Sequence, residues 1–109
     1  MAQTIQLDPN TVAVLQALTV DDGAKIKVDG VEKAQVHFGQ SGSCNVTMKK
    51  GQIFTIHFEL QNMTGGAYHG NFQIQGHQGG KALTVYSHAP MGEGGPTPVV
   101  WQETVNLMS

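Results

Sequence analysis

Arginine is absent from the 109 residues, cysteine and tryptophan occur once each, and charged residues make up only 13% of the chain. With no guanidinium group, and with six lysines against eight carboxylates for a net charge of -2, there is no bidentate phosphate grip and no basic field. Nucleic acid is therefore not an expected partner. One cysteine, Cys44, cannot close an internal disulfide, which leaves stability to packing. No apolar run approaches the roughly 18 residues that a membrane helix requires. The opening Met-Ala-Gln-Thr lacks the basic and apolar regions of a leader, so the expectation is a soluble chain without signal peptide or membrane span. The length suits one domain over residues 1–109, since a separate core takes roughly 50 residues or more.

The polar share is filled by neutral residues: 14 glycines, 11 glutamines and 5 asparagines. The apolar residues recur mostly at every second position, with turn residues between the runs, which is the pattern of half-buried strands. In the run from Gln52 to Leu60, Phe54, Ile56, Phe58 and Leu60 share one face and are assigned to the core, while Ile53, Thr55, His57 and Glu59 point away. Asp29-Gly30, between Ala24–Val28 and Val31–Phe38, suits the left-handed dihedrals of a type I′ hairpin turn. Lys49-Lys50-Gly51 closes a second hairpin between Cys44–Met48 and Gln52–Leu60. Further strands are read at Thr4–Leu7, Tyr68–Gln75, Ala82–His88 and Val99–Leu107, with Trp101 assigned to core or interface by its alternation with Val99, Val105 and Leu107. The fold class expected is an all-β antiparallel sandwich, jelly-roll or immunoglobulin-like, of about eight strands. One short N-terminal helix competes with a strand: Asp8 suits its cap and Pro9 its first position, while the β-branched run through Thr11, Val12 and Val14 favours extension. Glycine gathers at Gly65-Gly66, Gly79-Gly80 and Gly92–Gly95, all read as loops, with Ala89–Pro98 the longest.

Catalytic patterns are missing, and no enzyme is expected. Gly39-Gln40-Ser41-Gly42-Ser43 lacks the second glycine of a nucleophile elbow, and the few carboxylates have no pairing that a glycosidase would need. Five histidines raise the question of a metal; His37 and His57 could be cross-strand neighbours with Glu59, beside His57, as the third ligand, but the spacing does not establish a site. Neither metal nor cofactor is expected. Cys44 alternates with Val46 and Met48 and reads as a small core hydrophobe, and nothing in the segment Ser43-Cys44-Asn45 supplies the cationic neighbour that a reactive thiolate requires.

Two non-catalytic readings follow. Tyr68, His69, Asn71, Gln73, Gln75, His77, Tyr86 and His88 form a neutral polar set of the kind that matches sugar hydroxyls, so one reading is a lectin-like carbohydrate-binding protein with glycan partners. The other, favoured because a nearly uncharged surface does not repel copies of itself, is an interaction module. In this reading the chain is a self-associating structural subunit of a larger assembly, of virion or particle-surface type. Its contacts would be Thr4–Leu7, Val99–Leu107 and the Ala89–Pro98 loop, and its partners copies of itself or other subunits. Two Asn-x-Thr sequons, at Asn45 and Asn62, carry little weight without a secretion signal.

Overall fold

The computed structural model describes residues 3–109. In chain order the strands are β1 (Gln3–Gln6), β2 (Thr11–Leu18), β3 (Gly23–Val28), β4 (Val31–His37), β5 (Gly42–Met48), β6 (Ile53–Asn62), β7 (Gly66–His69), β8 (Asn71–Gln78), β9 (Lys81–His88), β10 (Met91–Gly94) and β11 (Thr97–Met108). A five-stranded sheet, β1-β11-β6-β3-β4, packs on a four-stranded sheet, β5-β2-β8-β9, and β7 with β10 makes a separate two-stranded ribbon. All pairs are antiparallel except β1 with β11, which run parallel. The β-sandwich read from the sequence is present, with eleven strands rather than eight.

The local reasons are visible residue by residue. Asp29 and Gly30 both take positive φ, 51° and 83°, which is the pair of left-handed residues a type I′ turn demands between β3 and β4. Gly51, at φ 85°, turns the chain from β5 into β6. On β2, Ala13, Leu15 and Ala17 are fully buried while Val12, Val14, Gln16 and Leu18 lie on the other face. That alternation settles the competition over Asp8–Leu18 in favour of a strand: a helix would have spread these side chains around its circumference. No helix occurs among the described residues, and so none is long and apolar enough to cross a membrane.

The core lies between the two sheets. Ile56, Phe58 and Leu60 of β6 and Val105 and Leu107 of β11 face Leu15 of β2 and Phe72 and Ile74 of β8, all fully buried. Phe54, expected in the core with its β6 neighbours, is only half-buried because it lies near the end of the strand. Removing one large ring from such an interior costs about 3–5 kcal/mol. Trp101 is half-buried at the margin of the core, and Cys44 packs there beside buried Val46 and Met48. One strand reading and one loop reading need correction. Tyr68–Gln75 is not one strand, because Gly70 divides it into β7 and β8. Ala89–Pro98 is not an open loop, because β10 within it pairs with β7, Met91 opposite His69 and Gly94 opposite Gly66.

Candidate functional site

Strand directions bring one set of connections to one end of the sandwich: Thr19–Asp22, Phe38–Ser41, Met63–Gly65 and the β7–β10 ribbon. Backbone bonds tie this end together, among them Gly39 N–H to Val20 O at 2.9 Å. Val20 N–H donates to Gln40 O, Asp21 N–H to His69 O at 3.0 Å, and Gly70 N–H to Pro90 O. Asn62, the last residue of β6, is fully buried and its Nδ2 donates to Gly66 O at 3.2 Å and Gly94 O at 3.4 Å, reaching both strands of the ribbon. Its Oδ1 is buried without a partner. An Asn62 so committed is no acceptor for a glycan in the folded chain, whereas the Asn45 sequon lies exposed on β5. Tyr68 lies across the ribbon: a Cβ on Gly92 would stand 2.6 Å from its hydroxyl, so a larger residue there would have to displace the tip of the ring. Phe38, Met63 and Met91 at this end are 71%, 56% and 78% exposed. Thr19, in the first of these connections, holds a φ of 47°, a conformation costly for a β-branched residue and commonest at functional positions.

An aromatic file runs from the core toward the same end. Tyr86 stacks on Phe58 with centroids 5.5 Å apart, Phe58 meets Phe72 at 5.1 Å, Phe72 meets Trp101 at 4.9 Å, and exposed His88 lies nearly parallel on Trp101 at 5.1 Å. Tyr86 Oη donates to Glu103 Oε1 at 2.5 Å. Burial, that hydrogen bond and the Glu103 charge together push the phenol well above its ordinary range, so Tyr86 is a structural donor rather than an acid.

The eight residues of the sugar-type set therefore part company. Asn71, Gln73, Gln75 and His77 form one outward row on β8, half-buried, beside Leu18, Gln16 and Val14 of β2. Within that row Gln75 Nε2 donates to Gln73 Oε1 at 3.2 Å, and Thr84 Oγ1 donates to Gln75 Oε1 at 2.9 Å. Asn71 Oδ1 and His77 Nδ1 are buried without partners. Tyr86 faces the core, His88 lies against Trp101, and Tyr68 and His69 belong to the ribbon.

The histidine pairing expected between β4 and β6 does not occur, because β3 lies between them: His37 sits opposite Gly23, and His57 opposite Lys27 and Thr104. His57 instead belongs to a polar chain on the outer face of the five-stranded sheet. Its Nδ1 is 3.0 Å from Thr104 Oγ1, its Nε2 is 3.2 Å from Glu59 Oε1, and Lys27 Nζ donates to the same oxygen at 3.1 Å. Carboxylate, imidazole and hydroxyl stand in the order of a nucleophile relay, yet the carboxylate is shared with Lys27 and no cavity opens among the described residues. No cluster of three or more metal-ligating side chains occurs among them either. Burial raises the Cys44 thiol above its ordinary range, with the Lys33 charge partly opposing, which describes a packed thiol rather than a nucleophile. Comparison with protein-family models, curated proteins and solved structures returned no match.

Sequence reasoning missed the ribbon and the aromatic file. Four-residue strands containing two glycines, as in Met91-Gly92-Glu93-Gly94, carry no periodicity to read. The only signal was the crowding of glycine itself.

Proposed function

We propose that this chain is a non-enzymatic structural subunit that associates with copies of itself in a larger assembly, of the kind that clothes a virion or other particle, and that the ribbon-bearing end is a contact surface. The observation that carries the reading is that the two most exposed large apolar side chains among the described residues, Met91 at 78% and Phe38 at 71%, lie at this end together with Met63, although Val12, Val31, Ile53 and Leu83 are exposed toward the opposite end. Solvated apolar groups concentrated in one region mark interaction surfaces. The terminal strands contribute differently from the sequence expectation: Val105 and Leu107 of β11 and Ile5 of β1 are spent in the core. The contact surface therefore draws on the Met91 region of the Ala89–Pro98 segment instead.

Sedimentation velocity at micromolar concentration tests the reading. The wild-type chain is expected to sediment as an oligomer, and the double variant Phe38→Ser/Met91→Ser to shift toward monomer with its far-UV circular dichroism unchanged. A wild-type chain that stays monomeric at all concentrations removes the proposal. A second reading, a lectin-like glycan binder, draws on the unpartnered Asn71 Oδ1 and His77 Nδ1 along the amide row and on the His88–Trp101 platform. A glycan array should then show binding that Gln73→Ala with Gln75→Ala abolishes, and a blank array eliminates it.

A further inference from the structure

Resting on the reading of self-association, we propose that β5 is a pairing edge that takes β5 of a second copy, antiparallel across a twofold axis, so that two four-stranded sheets run on as one. The inference comes from comparing the edges. The two sheets end at β1, β4, β5 and β9, and an unprotected edge offers a row of free N–H and C=O groups to any strand that approaches. Three of the four are blunted. β1 is four residues long. β4 carries Glu32 and Lys33 and is bulged: Ile26 pairs with Ala34 and Lys27 with Glu32, which leaves Lys33 as the extra residue. β9 opens on Lys81 and is bulged at Val85, since Ile74 pairs with Tyr86 and Gln75 with Thr84.

β5 has none of these devices. Its seven residues, Gly-Ser-Cys-Asn-Val-Thr-Met, hold no charge and no proline. They pair with β2 in unbroken register from Gly42–Ala17 to Met48–Thr11.

Charge identifies the occupant as another copy of the strand. Because β5 is neutral throughout, every cross-strand pair it makes with itself is free of like-charge repulsion. Lys49 and Lys50 follow directly after it. Antiparallel pairing sends the two lysine pairs to opposite ends of the joint strand, whereas parallel pairing would set them side by side. Full overlap places Asn45 opposite Asn45 of the second copy, Ser43 opposite Thr47, Cys44 opposite Val46 and Gly42 opposite Met48. Inward residues then meet inward ones, so the core continues across the joint. Lys33, whose charge Cys44 feels, is a cost of the arrangement, since two copies bring two of them toward the axis.

A charge swap at the axis tests it. Asn45 is exposed, so Asn45→Lys and Asn45→Glu both leave the fold intact. Each alone sets like charges opposite each other and is expected to weaken self-association about tenfold or more, and an equimolar mixture of the two is expected to restore it. Wild-type association with both single variants as strong as the parent overturns the β5 interface while leaving self-association standing. A wild-type chain that never associates overturns both.

Discussion

At one end of the sandwich the turns and the C-terminus are closed by charge-assisted and backbone hydrogen bonds. At the other, the two most exposed large apolar side chains among the described residues, Phe38 and Met91, stand in water with Met63, while the less exposed Val12, Val31, Ile53 and Leu83 lie toward the closed end. At the closed end Asp8 N–H donates to His77 O, and the Asp8 carboxylate accepts from Gly79 N–H at 3.0 Å and Gly80 N–H at 2.8 Å. Asp29 exchanges bonds with Thr55, its N–H donating to Thr55 O and its Oδ1 accepting from Thr55 N–H, each at 2.8 Å. Gly51 N–H donates to Ser109 O and Ser109 N–H to Gln52 O. The ribbon end is not loosely built: Asp22 Oδ2 accepts from Thr64 N–H at 2.8 Å, and Asn62 holds both ribbon strands. Its backbone polar groups find partners much as those at the closed end do, so the exposed Phe38, Met63 and Met91 are not a by-product of poor packing. Both ends carry exposed apolar groups, but the two most exposed, Phe38 and Met91, belong to the ribbon end.

The largest effect expected from breaking this contrast is at Asp8. Asp8→Ala leaves two turn amides without their acceptor and should lower the unfolding free energy by about 1.5 kcal/mol, toward the low end for charge-assisted bonds because both are solvent-exposed. Asp8→Asn, which keeps an acceptor oxygen, should lose about half as much. Urea denaturation of the three chains measures both. If Asp8→Ala matches the parent, the carboxylate does not close that end.

How much of this was legible from the sequence depended on how locally each feature is specified. Asp29-Gly30 announces its turn because two adjacent residues must both be left-handed. The faces of β6 were readable because burial follows a period of two, and only Phe54, near a strand end, departed from it. On β2 the cap signal of Asp8 and Pro9 pointed toward a helix. The structure uses that Asp8 carboxylate to bind the β8–β9 turn instead, a long-range partner that no local window contains. The amide row of Asn71, Gln73 and Gln75 shares its outward face as the alternation requires. Tyr86 and His88 could not be sorted from that row, because the bulge at Val85 shifts the register of β9. The difference between β5 and β4 as edges also lies outside the sequence pattern, since strand order decides which strands are edges at all.

The smaller effect is expected at the other end, and it has the opposite sign. Thr19 sits at φ 47°, where a β-branched side chain crowds the following carbonyl and a non-glycine residue costs roughly 1–2 kcal/mol. Its N–H donates to Ser41 Oγ at 3.1 Å across to the β4–β5 connection, so the conformation is held by the packing of that end rather than by the residue's own preference. Asparagine tolerates the left-handed region better, and Thr19→Asn should therefore raise the unfolding free energy by about 0.5–1 kcal/mol. If the strained turn serves only the fold, that gain is all the variant shows. If it positions the β2–β3 connection beside Phe38 and the ribbon for contact between copies, Thr19→Asn should be more stable and yet associate more weakly in sedimentation. That pairing of outcomes separates an end shaped for assembly from one that is merely uncovered.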